Sequence, residues 1–218
     1  MTLKQKKNRL KWAKSHINWT SDEWNSVHWS DESRFEVCVG DNRSRVIRQK
    51  NEAFNSDCLK KKVKFPASVM VWGSMSARGV GKLHFIDGIV NTNKYLEILK
   101  KSLLPTMADA LQNNNNFVFQ QDGAACHTSR KSLKWLSDHN VPLLEWVANS
   151  PDLSPIETLW HTMKKLLRIQ PARNVVELKH KLQNIWDTFT QDECQNLIST
   201  LPKRIQAVIK NKGDVTQW

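Results

Sequence analysis

Acids are missing from the first 20 residues, which carry Lys4, Lys6, Lys7, Arg9, Lys11 and Lys14 against no aspartate or glutamate. That segment alone supplies half of the chain's net charge of +12. A balance this basic points to a polyanionic partner, nucleic acid before any other. Long apolar runs are also absent: none approaches the roughly 20 residues that a membrane helix needs. The basic N-terminus is followed by no apolar stretch, so a secretory signal is not expected. The expectation is an intracellular protein with no membrane partner. Cysteine is sparse and scattered, at Cys38, Cys58, Cys126 and Cys194. Without a CxxC pair a zinc knuckle or thioredoxin-type motif is excluded, and free thiols are expected. "GVGKL" (79–83) fails as a phosphate loop, which needs glycine at Ser76 and Ser or Thr at Leu83. Internal repeats are absent, and 218 residues suffice for one substantial core.

Tryptophan, by contrast, is abundant, with ten in the chain. Indoles of this number are read first as core builders rather than base-stacking platforms. Apolar alternation predicts a strand in "VHWSDESRFEVCV" (27–39), a partner strand in "RVIRQ", a buried strand in "ASVMVWGSM" and a further one in "GKLHFID". "NTNKYLEILKKSLLPTM" then switches to helical period, and "FVFQQD" (117–122) is a short strand ending in an acid. "HTSRKSLKWLSDHN" reads as a helix, "VPLLEWV" as a strand, and Ser154 opens a helix to about Arg168. Residues 174–210 are helical. Early antiparallel pairing followed by strand–helix alternation gives an α/β fold, a mixed sheet covered by helices.

Three acids stand at telling places in that order. Asp31 lies in the first strand, Asp122 follows a later strand directly, and Glu157 opens the helix after the next one. Brought together at the ends of adjacent strands, they would repel one another unless a cation neutralised them. An oxygen-only set suits Mg²⁺ or Mn²⁺, and such a site amid basic residues suits two-metal phosphoryl transfer. Each acid also has a purely structural reading. Asp31 could simply end a strand, and Asp122 could start a turn. Ser154, Pro155 and Glu157 together spell a capping box, with Ser154 as the expected helix cap. Four, seven and eleven positions beyond Glu157 come His161, Lys164 and Arg168, a polar stripe suited to a phosphate backbone or merely to solvent.

"VHWSDESRFEV", "FVFQQDGAACHTSR" and "LEWVANSPDLSPIETLWHTMKKLL" resemble the catalytic domain of mariner and Tc-like DDE transposases, as do "MVWGSMS" and "GKLHFIDG". Between Asp122 and Glu157 lie 34 residues (123–156), a spacing that family uses. The resemblance implies an RNase H-like mixed five-stranded sheet flanked by helices. It implies two Mg²⁺ ions, replaceable by Mn²⁺, held by Asp31, Asp122 and Glu157. The activity implied is cleavage of transposon ends and strand transfer into target DNA, usually at TA dinucleotides, in the nucleus and with a possible homodimer. Two rivals remain open, a non-catalytic descendant that binds DNA or protein and an RNase H-like nuclease.

Departures from the family pattern are Ala125, where proline is common, and Ser154, where asparagine is common. Relatives carry paired helix-turn-helix modules ahead of this domain, and residues 1–20 are too short for one, so end-specific recognition is expected to be missing. The expected organisation is a basic linker over 1–20 and a catalytic domain over 21–218, with a basic arm at about 49–66. Expected DNA contacts are Lys60, Lys61, Lys62 and Lys64 on that arm, with His127, His161, Lys164 and Arg168.

Overall fold

The computed structural model describes residues 1–37, 49–52, 55, 66–113 and 115–218. Most of "RVIRQ" and the arm lysines Lys60, Lys61, Lys62 and Lys64 lie outside those residues. The central sheet is built on β1 (Val27–Glu36), with β2 (Ser68–Ser76) antiparallel along one side and β5 (Val118–Gln120) parallel along the other. Two short strands, β3 (Gly79–Val80) and β4 (His84–Ile86), both pair with β2, completing five strands. The expected mixed sheet is therefore present.

Alternation along the strands decides which residues feed each layer. Trp29, Phe35, Val71 and Met75 join the core beneath α6 (Ile156–Ile169), α7 (Val175–Trp186), α8 (Gln191–Ser199) and α9 (Leu201–Lys210). Trp72 and Phe119 face the opposite core with α3 (Thr92–Ile98), α4 (Leu104–Gln112) and α5 (Arg130–Asp138). Seven of the ten tryptophans are buried, so the indoles do chiefly build these two layers. α3 and α4 are joined by a π-helical turn, Leu99–Leu103, immediately before Pro105. A proline there has no N–H to give to the helix ladder, and the widened turn accommodates the break.

The N-terminal basic segment is a seated helix. α1 (Leu3–Ser15) starts on a capping box at Thr2 and buries Arg9, Trp12 and Ala13. The chain turns back beside it at Gly213, whose φ is +87°; a Cβ there would fall 2.0 Å from the carbonyl oxygen of Lys6, so only glycine fits. α2 (Ser21–Asn25) begins on the Thr20–Glu23 capping box.

Two expectations fail. Residues 141–147 make no strand: Leu143 forms one isolated parallel bridge to Phe119, through Phe119 N–H to Pro142 O (2.7 Å) and Leu144 N–H to Phe119 O (2.8 Å). Pro142 has no N–H to extend that ladder. The helix after Ser154 begins at Ile156 with no side-chain cap, so neither the capping box nor a Ser154 cap forms.

Gly73 of β2 sits opposite Asp31 in the β1–β2 register. Trp160 and Trp186 stack above it, ring centroids 5.0 Å apart and planes at 21°. A Cβ on Gly73 would lie 2.7 Å from one indole and 2.8 Å from the other. Gly73→Ala is expected to lower stability by about 1–3 kcal/mol through overpacking, read as a drop in the midpoint of denaturant unfolding with an unchanged slope. An unchanged midpoint would show that the indole pair is free to slide.

Candidate active site

Asp31, Asp122 and Glu157 line one cavity of about 400 Å³, together with Ser30, Gln120 and Trp146. Topology explains the meeting. β1 and β5 are parallel neighbours, so Asp31 in mid-strand and Asp122, two residues past the end of β5, stand side by side. α6 packs on β1 and presents Glu157 from its first turn.

Each acid is held differently. Asp31 is half-buried, and its Oδ2 accepts a hydrogen bond from Trp160 Nε1–H at 3.1 Å. Burial, then the charges of Glu157, Glu32 and Asp122, push its carboxyl up to about 7. Asp122 is half-exposed, and its Oδ1 accepts from the Ala124 N–H at 2.9 Å and from His127 Nδ1–H at 2.6 Å. The bond from His127 holds Asp122 below the usual carboxylate range, against the opposing effect of burial. Glu157 is raised by burial, with Lys164 pulling the other way.

His127 is 3% exposed. Its second nitrogen, Nε2–H, donates to Glu32 Oε1 at 3.1 Å, and its ring lies 4.1 Å from that of Tyr95. Burial disfavours its charge, but its bonds to Asp122 and Glu32, with the charge of both, push it up to about 10. It is thus an imidazolium wedged between two carboxylates. With both ring nitrogens bonded and the ring buried, it supports Asp122 from behind. His161, Lys164 and Arg168 are exposed on α6, and the first two line a cavity of about 640 Å³ that continues past Glu157 to Trp218.

The turn ahead of Glu157 is gripped from both sides by buried arginines. Arg9 meets both carboxylate oxygens of Asp152 at 2.7 Å. Arg204 donates to the carbonyls of Asp152 (3.1 Å) and Ser154 (3.5 Å) and to the Thr158 hydroxyl (3.3 Å). This clamp fixes the turn, although it leaves the first N–H groups of α6 without a side-chain cap. No local pattern foretells it, since Arg9 and Arg204 sit 143 and 52 residues from Asp152. Glu32 and Trp160 were likewise missed, although the alternation that placed Asp31 also puts Glu32 beside it on the opposite face.

The donor set suits a hard divalent cation: three carboxylates, no thiol, and a histidine with both nitrogens occupied. Among the described residues no three such groups stand close enough to enclose one ion, so the acids share a wall rather than form a closed cage.

A mixed five-stranded sheet flanked by helices, with Asp31 in mid-strand, Asp122 just past the parallel neighbour and Glu157 on a facing helix, is an RNase H-like fold. The family profile described as DDE superfamily endonuclease matches residues 26–179. The Tc1 transposase of Caenorhabditis elegans is 36% identical over 220 residues, covering all of this chain and 80% of that protein. The chain belongs to the DDE superfamily endonucleases, as a DNA transposase catalytic domain. The solved Mos1 transposase catalytic domain with raltegravir and Mg superposes with TM-score 0.77 at 18% identity, over 100% of this chain and 99% of that one. The Mos1 paired-end complex with a left transposon end gives TM-score 0.81 at 19% identity, over 98% of this chain and 64% of that one. Both neighbours share the fold.

Proposed function

We propose that this domain cleaves DNA at transposon ends and joins the freed 3′-hydroxyl to target DNA, with Asp31, Asp122 and Glu157 holding two Mg²⁺ ions or, in their place, Mn²⁺. The observation that carries the reading is the meeting of these three acids, from β1, the segment just past β5, and α6, on one cavity wall. When bound, the ions would activate the attacking oxygen and offset charge on the leaving one. The protein's own part is to hold the ligands. Trp160 fixes Asp31, the His127 imidazolium keeps Asp122 ionised, and the clamped turn sets Glu157. His161, Lys164 and Arg168 extend from Glu157 as exposed basic groups along the path of a phosphate backbone. The Mg-containing Mos1 catalytic domain and the Mos1 paired-end complex support divalent metal use and DNA as partner. Insertion at TA, pairing of two domains and work in the nucleus belong to the same proposal.

The test is a joining assay. Duplex oligonucleotides with a free 3′-hydroxyl are incubated with the protein, Mg²⁺ and a labelled plasmid. Covalent joining of label to oligonucleotide, lost with a 3′-dideoxy end, is the expected result. Nicking without joining would replace the proposal with a hydrolytic nuclease, and no reaction with Mg²⁺ or Mn²⁺ would replace it with a non-catalytic binder.

A further inference from the structure

Four buried tryptophans pose a contrast. The indole N–H groups of Trp29, Trp72 and Trp135 have no hydrogen-bond partner among the described residues, whereas Trp160 gives its own to Asp31 at 3.1 Å. The core thus tolerates an unpaired indole, and packing alone does not demand the Trp160 bond. The ring is moreover fixed on three sides. It stacks on Trp186, meets Phe35 edge-on at 6.1 Å, and lies over the space that Gly73 leaves open. Trp186 is itself anchored through Nε1–H to Gly81 O at 2.7 Å. Trp160 also stands three residues after Glu157 on α6, so both lie on one helix face.

We propose that Trp160 is the positioning residue of the metal site: its indole N–H sets the Asp31 carboxylate at the cavity wall, and α6 thereby ties Asp31 to Glu157 as one rigid unit. The inference rests on the metal reading above. An N–H held by two stacked rings fixes the carboxylate's orientation before a cation arrives, and such supporting bonds to a ligand typically govern metal affinity by about 10–100-fold.

The test is a titration of the metal alone. Mn²⁺ binding is followed by the paramagnetic signal of the free ion, for wild type, Trp160→Phe and Asp122→Asn. Phenylalanine keeps an aromatic ring on Trp186 but has no N–H. A second variant, with β-(3-benzothienyl)alanine at position 160, replaces the N–H by sulfur in a ring of nearly the same size and covers the case in which Trp160→Phe folds poorly. The expected result is Mn²⁺ affinity weakened at least about 10-fold in either folded variant, with the thermal midpoint of the metal-free benzothienyl variant near wild type and cleavage recovered at high Mn²⁺. A purely structural role would move the midpoint and leave the affinity. Wild-type affinity in the folded variants would overturn the inference while leaving the metal site standing. If wild type and Asp122→Asn bind Mn²⁺ equally, or neither binds it, the metal reading fails and this inference with it.

Discussion

Asp122→Asn will abolish DNA cleavage and joining while leaving the protein folded. Asparagine keeps the shape of the side chain and an oxygen that can still accept from the Ala124 N–H, a contact of 2.9 Å. What it removes is the negative charge that the proposed cations require. A ligand carboxylate lost from such a centre is worth several kcal/mol of transition-state stabilisation. On the scale of 1.36 kcal/mol per tenfold, the rate should fall by at least about 10³. Stability should change by no more than about 1 kcal/mol, because two effects oppose each other. His127 loses one of its two carboxylate partners, and Asp31 loses one of the like charges that help push its carboxyl up to about 7. Gel assays of cleavage beside thermal unfolding of the same preparation separate the outcomes. Cleavage within tenfold of wild type would remove Asp122 from the site. A lost fold would instead show that Asp122 matters mainly as the partner of His127.

The sequence told a good deal about where the acids stand and little about what holds them. Asp31 is legible because alternation in "VHWSDESRFEV" marks a strand, and Asp122 because it closes "FVFQQD", the short strand opened by an apolar run. Both signals are local, and strand period survives in a single sequence. Glu157 was harder. Its helix was foreseen, but the Ser154 cap was not borne out, because the turn before it is fixed by groups from the two ends of the chain. His127 was visible five residues after Asp122, yet its burial and second bond, to Glu32, depend on β1 passing behind it. Segment 141–147 reads as a strand by its apolar residues, but Leu144 and Val147 are buried from an irregular chain that bridges β5 only once. Side-chain pairs separated by a hundred residues leave no trace in periodicity, and here they supply the second layer of the site.

Arg9→Met should unfold this protein more easily than replacement of any other basic residue in the N-terminal helix. The Arg9 side chain is fully buried and Asp152 nearly so, and their two 2.7 Å contacts form a bidentate pair. Removing one member leaves the other charge buried and uncompensated, a cost of about 3–5 kcal/mol. Arg9 also donates to the carbonyls of Gly213 (3.1 Å), Asn149 (3.3 Å) and Asp214 (3.3 Å), so methionine strands those acceptors as well. The pH profile adds a second signature. Burial raises the Asp152 carboxyl, but the bond and charge of Arg9, with bonds from Thr216, outweigh it and hold the group below its ordinary value. A carboxyl depressed in the folded state contributes stability that is full above its unfolded pKa of about 4. That contribution is lost as pH falls through the folded value. Wild type should therefore lose stability on acidification below about pH 4, and the gap between wild type and Arg9→Met should narrow over that range. Adding Asp152→Asn to Arg9→Met should recover part of the loss, since the stranded charge is then gone, although the Thr216 contacts at 2.9 and 3.1 Å are weakened. Denaturant unfolding of wild type, Arg9→Met, Asp152→Asn and the double variant at pH 7 and pH 3.5 checks both points. A pH-independent gap would mean that Arg9 acts through its carbonyl contacts alone. Because the same pair fixes the turn before Glu157, the folded fraction of Arg9→Met should also bind Mn²⁺ more weakly, linking the basic helix to the chemistry of the site through a buried ion pair.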